Sequence, residues 1–318
     1  MTFDNDADAQ TAGQFVGPQT FMNVPLSSAP TNSAVAVLGV PFDAGTSPTC
    51  VGSRTGPAAI REQSALLQCY QPPQTVTSPL EQLRVVDCGD VQLVPSMVDE
   101  SFANTETAAN STWQAGVAPL AFGGDGMVSL PLLRAAHAVH PELAVIHIDT
   151  YRGDGPSVQQ RYNTATTYTR AAEEGLIDPA NSYHIGIRGT ASQADVIDHT
   201  RSHGYNVITS KELFETAIEA TAASFRDALA GKVAYFSFDM DFFDPSCAPG
   251  VCTPSWGGAS AREGLGFLKD LSSIDFVAAD INTVSPPHDV GGMTALLAAT
   301  VAFEILTLFC ASPSMAHW

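Results

Sequence analysis

Positive charge is scarce in this sequence of 318 residues: 14 Lys and Arg stand against 33 Asp and Glu, a formal charge of -19. Partners gripped through phosphates need Lys and Arg, so neither nucleic acid nor an anionic membrane surface is an expected partner. The acidic surplus is read first as solubility and only second as attraction of a cationic ligand. Cysteine is sparse as well. Cys50, Cys69, Cys88, Cys247, Cys252 and Cys310 are scattered without a Cys-x-x-Cys pair, which in a chain of this length predicts free thiols. Cys247 and Cys252 share one loop and offer soft metal ligands, but with no partner histidine they are read as inert. No uninterrupted apolar run reaches the length of a membrane span. The opening MTFDNDADAQTAGQFVGPQT lacks the basic start and apolar stretch of a signal peptide, so a cytoplasmic protein is expected.

What is present is a large apolar fraction, 45%, enough to bury one sizeable core. Residues 1–318 read as a single domain behind a short polar extension of about residues 1–14, with no linker or repeat. Strand-like runs lie near 35–39, 84–88, 118–122, 144–148, 183–187, 205–208, 233–238 and 275–281. Helical stretches at 57–69, 126–138, 192–203, 219–230, 258–271 and 293–310 separate most of them. Thr209 and Glu212 are spaced as a capping box before a shorter helix. Alternation of this kind predicts a parallel sheet covered on both faces. Long loops at 41–56, 150–166 and 242–258 are of the sort that build sites on such sheets.

Chemistry gathers at three strand ends. The apolar run Lys232 to Phe238 delivers Asp239 and Asp241 in SFDMDFFDPSCAPG, LAVIHIDTYRGDG delivers Asp149, and PLAFGGDGMVSLP delivers a Gly-Gly-Asp turn. Sites of open parallel sheets collect at the carboxyl ends of strands, so the three ends are expected to converge on a cation position. Gly123, Gly124 and Asp125 also have a purely structural reading, a tight turn into a helix with Asp125 at its amino end. His147 sits inside a strand pattern and is read as a core histidine. Arg54 and Arg61 flank a helix start and are read as ion-pair or subunit-contact residues.

These segments together resemble the ureohydrolase family of arginases, agmatinases and guanidinobutyrases, which hydrolyse guanidino groups to urea at a dinuclear metal centre. Further likeness runs through GPQTFMNVP at 17–25, GVPFDAGTSPTCVGSRTGPAAIREQS at 39–64, VVDCGDV at 85–91, EEGLIDPANSYHIGIRG at 173–189 and DINTVSPPHDVGGMTA at 280–295. The resemblance implies an arginase-like three-layer α/β/α fold with an eight-stranded, mainly parallel sheet. It also implies six ligand positions. Asp149, Asp239 and Asp241 keep oxygen donors, while Gly126, Tyr151 and Gly153 stand where the family has histidine, histidine and aspartate. Asp154 follows the last of these, but one residue on a short turn redirects a side chain. Thr164 falls where the family has a histidine near the substrate. Thr283 falls where a glutamate holds the guanidinium, and a hydroxyl cannot pair with a guanidinium as a carboxylate does.

Two metals lower the pKa of a bridging water and polarise the guanidino carbon. With half the ligands gone, this chain is expected to hold no cofactor and no catalytic residue; at most Asp149, Asp239 and Asp241 hold one oxygen-loving ion weakly. The expected function is that of a non-catalytic subunit in a heteromeric ureohydrolase acting on a guanidino or biguanide compound such as metformin. Its expected partner is an intact paralogue carrying two nickel or manganese ions, in a hetero-oligomer of trimer or hexamer type. Two alternatives stand beside it. One is an active amidinohydrolase with a mononuclear or metal-free site, although Asp149, Asp154, Asp239, Tyr151 and the loop cysteines form no recognisable nucleophile-base pair. The other is a ligand-binding protein holding a cation against Tyr151, Tyr162, Tyr168 and Trp256.

Overall fold

In a computed structural model of the chain the described residues are 19–46, 51–73, 76–94, 96–150, 161–191, 194–215 and 218–316, side chains 218 and 219 excepted. The polar segment 1–14 lies outside them. The strands are β1 (Val35–Val40), β2 (Val86–Asp90), β3 (Ala118–Gly123), β4 (Ala144–Ile148), β5 (Tyr183–Ile187), β6 (Asn206–Thr209), β7 (Val233–Asp239) and β8 (Asp275–Asn282). They form one sheet in the order β2-β1-β3-β8-β7-β4-β5-β6. Every pairing is parallel, so the sheet expected to be mainly parallel is wholly so among the described residues.

The helices are α1 (Gly56–Ser64), α2 (Pro79–Gln82), α3 (Val98–Gln114), α4 (Ser129–Val139) and α5 (Thr167–Glu173), followed by α6 (Val196–Ser202), α7 (Ser210–Glu215), α8 (Ile218–Ala228), α9 (Ala261–Asp270) and α10 (Met293–Ala311). Side-chain alternation along the strands sorts them into two layers. Leu120 and Phe122, Ile146 and Ile148, Phe236 and Phe238 pack into one core with α1, α8, α9 and α10. Ala121, Val145 and Tyr235 point the other way, into a core with α3, α4 and α5. Each fully buried phenylalanine contributes roughly 1.5–3 kcal/mol of burial energy. The capping box before α7 forms: Thr209 N donates to Glu212 Oε2 at 2.8 Å and Glu212 N to Thr209 Oγ1 at 3.2 Å.

Three helices bear on the sequence reading. Helix α1 stops at Ser64, five residues short of the expected end, and the chain turns at Ala65 and Leu66. Helix α3 carries helical spacing, burying Ser101, Phe102, Thr105, Ala109 and Thr112, but mostly in hydroxyls and alanine, so its apolar signal is weak. Helix α10 is long and apolar enough to cross a membrane by length and composition, although Thr294, Thr300, Glu304 and Thr307 interrupt its apolar run as expected. In the fold it is a core helix, packed on β8, α1 and α9. Glu304 within it is buried and accepts from Gln71 Nε2 at 3.0 Å, with Lys269 Nζ at 3.5 Å.

Arg54, just before α1, and Arg61, within it, make ion pairs. Arg61 is buried and grips Asp87 as a fork, Nε to Oδ2 at 2.8 Å and Nη2 to Oδ1 at 3.0 Å, while Nη1 reaches Asp90 Oδ1 at 2.5 Å. Arg54 reaches Asp43 with Nη2 2.5 Å from Oδ1.

Candidate metal centre

The four central strands, β3, β8, β7 and β4, end around one cavity of about 520 Å³. Asp149, Asp239 and Asp241 are all buried there and offer carboxylate oxygens within 4.8 Å of one another. Local sequence explains how each arrives. Asp239 is the last residue of β7, and the 3-10 turn Met240–Phe242 folds Asp241 back so that its amide donates to Asp239 Oδ1 at 2.8 Å. Asp149 follows β4, its amide bound to Ile185 O at 2.9 Å. At the end of β3 a side chain on Gly124 is impossible, because a Cβ would lie 1.6 Å from Phe42 O. Asp125 then caps the turn, accepting from Met127 N at 2.9 Å and from Gly45 N at 2.6 Å.

Among the described residues no Lys or Arg side chain forms an ion pair with Asp239 or Asp241, and burial dominates the chemistry of Asp239. Burial, and then the charge of Asp241, push the Asp239 carboxyl well above the usual range, against hydrogen bonds from Thr283 and the Asp241 amide. Asp125 is pushed up to about 7 by burial. Asp241 accepts from Thr150 N at 3.1 Å and from Thr253 Oγ1 at 2.8 Å. The Thr283 hydroxyl donates to Asp239 Oδ1.

His147 is buried as a core histidine would be, yet it lines the cavity. Its Nε2 lies 3.3 Å from Asp149 Oδ2 and its Nδ1 lies 2.8 Å from His184 Nδ1. Burial, then His184, hold it well below the ordinary imidazole range. An imidazole thus stands beside the three aspartates, and the signal was present: His147 precedes Asp149 by two, the spacing that turns side chains to one face along a strand. Arg188, not singled out from the sequence, donates from Nη2 to Asp241 O at 2.7 Å and Ser255 O at 2.8 Å. Its guanidinium staples the loop after β7 in place. Burial disfavours the thiolates of the two loop cysteines. Burial pushes the Cys252 thiol up to about 12 and raises that of Cys247, and it is the thiolate that reacts and ligates.

The dinuclear centre implied by the family resemblance can be tested against this donor set. Gly126 lines the cavity with nothing to offer, although a Cβ there would meet only Thr164, at 4.0 Å. Thr164 and Thr283 line the same cavity. Tyr151, Gly153 and Asp154 lie outside the described residues. Among the described residues there remain three clustered carboxylates, one of them resistant to ionisation, and an imidazole turned toward Asp149. That set does not fit two bridged ions, and no hydrolytic step follows from it.

Comparison with known proteins gives the same lineage from end to end. The chain is 37% identical to guanidinopropionase of Pseudomonas aeruginosa over 312 residues, 96% of each protein. It is 34% identical to proclavaminate amidinohydrolase of Streptomyces clavuligerus over 303 residues, covering 94% of this chain and 95% of that one. The solved structure of the Streptomyces enzyme superposes with a TM-score of 0.88 at 34% identity, over 93% of this chain and 98% of that one. Arginase from Bacillus caldovelox, at 22% identity and a TM-score of 0.74 over 87% and 98%, shares the fold. Residues 33–308 match the model described as the arginase family. This chain belongs to the arginase family.

Proposed function

We propose that this chain is the non-catalytic subunit of a heteromeric ureohydrolase, supporting the assembly, stability or activity of an intact paralogue. One observation carries the reading: Gly126, Thr164 and Thr283 face a single cavity from three different elements, at positions where the family resemblance puts a metal ligand, a histidine near the substrate and the anchor of the guanidinium. Losing all three together removes ion, proton transfer and substrate grip at once. Likeness over 96% of the chain shows that the scaffold has been kept meanwhile, and packing and site chemistry rest on different residues. In this reading the partner holds two nickel or manganese ions and removes urea from a guanidino or biguanide compound, metformin among them, within a trimeric or hexameric hetero-oligomer.

A second reading, an active amidinohydrolase with a rearranged centre, is favoured by the carboxylates that stay within 4.8 Å of one another below a cavity of about 520 Å³, a size that suits a small ligand. Metal content by mass spectrometry and urea release separate the two. The chain purified alone, and the chain co-expressed with an intact paralogue, are supplied with nickel and manganese. Metal and turnover only in the co-expressed sample are expected. Stoichiometric metal and turnover in the chain alone would establish the second reading instead.

A further inference from the structure

Three of the four carboxylate oxygens of Asp239 and Asp241 carry donors from the protein itself. Asp239 Oδ1 accepts from the Asp241 amide and the Thr283 hydroxyl. Asp241 Oδ1 accepts from Thr150 N at 3.1 Å and Oδ2 from Thr253 Oγ1 at 2.8 Å. The hydroxyl donors come from two separate places, the end of β8 and the loop after β7. Thr283 also sits at φ 66°, in the left-handed region that a β-branched residue rarely adopts. Its amide is fixed there by Gly124 O at 2.7 Å. A strained residue that persists at a site is held by its surroundings and points to a role.

We infer that Thr283, together with Thr253, is a clasp that commits Asp239 and Asp241 to hydrogen bonds inside the protein and so withholds them from a divalent cation. This deepens the non-catalytic reading and rests on it. A carboxylate oxygen that accepts two protein hydrogens has little left for a metal, so a cation entering the cluster competes with the Thr283 bond for Asp239. The clasp also ties β7, β8 and the 250–255 loop together, the task that ions would otherwise perform at such strand ends. Thr283 is thus a positioning residue, acting through Asp239.

Titration of the full-length protein with Mn²⁺ alone, followed by the electron paramagnetic resonance of the free ion, tests this on wild type, Thr283→Ser, Thr283→Ala and Thr283→Gly. The Ala and Gly variants are expected to bind Mn²⁺ at least about tenfold more tightly than wild type, the worth of one hydrogen bond to a charged group. Ser keeps the hydroxyl and is expected to match wild type. Gly relieves the backbone at φ 66°, so a folded variant is available if Ala destabilises the turn. Equal affinity across all four proteins, no detectable binding included, would overturn the clasp, as would Ser grouping with Ala and Gly. Urea release by wild type alone would instead overturn the non-catalytic reading, so the two failures are told apart.

Discussion

The sheet buries two clusters of acids and treats them in opposite ways. At its β1–β2 edge Asp87 is fully buried, and Asp90 lies beside it, with Arg61 laid across both. At the centre Asp239 and Asp241 are equally inaccessible, but hydroxyls and amides take the place of a guanidinium. A buried charge is tolerated when it is paired or when it is neutralised. The edge cluster uses the first solution and is finished by the sequence alone. At the central cluster Asp239 uses the second, as a carboxyl that resists ionisation.

Removing the countercharge from the edge cluster is the harshest way to break this contrast. Arg61→Ala leaves Asp87 buried and unpaired and is expected to cost about 3–5 kcal/mol, read from chemical denaturation. A loss below about 1 kcal/mol would show that the ion pair is not what makes the edge cluster bearable.

The next effect concerns pH. Asp125 has a folded value of about 7, above its value in the unfolded chain. The folded protein therefore holds the extra proton between the two, and this group's stabilisation is full at low pH and lost as pH rises through about 7. Unfolding free energy should fall between about pH 4 and pH 7 by an amount on the order of 4 kcal/mol at most, and Asp125→Asn should flatten that slope. An unchanged slope in the variant would assign the decline to other groups. Smaller again is Thr253→Val, which deprives Asp241 of one hydroxyl and should cost about 1–2 kcal/mol in thermal unfolding; no measurable loss would make that bond dispensable. Least of all is Gly126→His. Its side chain enters open cavity, so stability should shift by less than about 1 kcal/mol, and urea release should stay at background because Thr164 and Thr283 are unchanged. Appreciable turnover from this single change would mean that the site lacks only a ligand.

The fold was legible because parallel strands announce themselves as apolar runs, and all eight strand positions follow from that signal. Helix α3 was not, since apart from Phe102 its buried face is made of Ser, Thr and Ala, residues that carry helical spacing with little apolar contrast. At the site, the strand-end aspartates could be placed because a strand's carboxyl end is fixed by its own apolar run. The contacts that tune them could not. His147 reaches Asp149 through side-chain alternation, while Arg188 and Thr253 reach Asp241 across loops whose path no local pattern specifies. Long-range hydrogen bonds of this kind are decided by packing, after the elements are already in place.

Helix α10 has a consequence for how the molecule comes to exist. It covers α1, whose last residue, Ser64, lies more than two thirds of the chain length before Met293, and it lies against β8 and α9. During synthesis the face of α1 that α10 covers must wait until residues 293–311 have emerged, so closure of that core layer comes late. Contacts so distant in sequence are slow to form, and the waiting surface is exposed to other chains in the meantime. A chain cut before Met293 would not be a smaller version of this protein but one whose core on that face of the sheet is left partly uncovered.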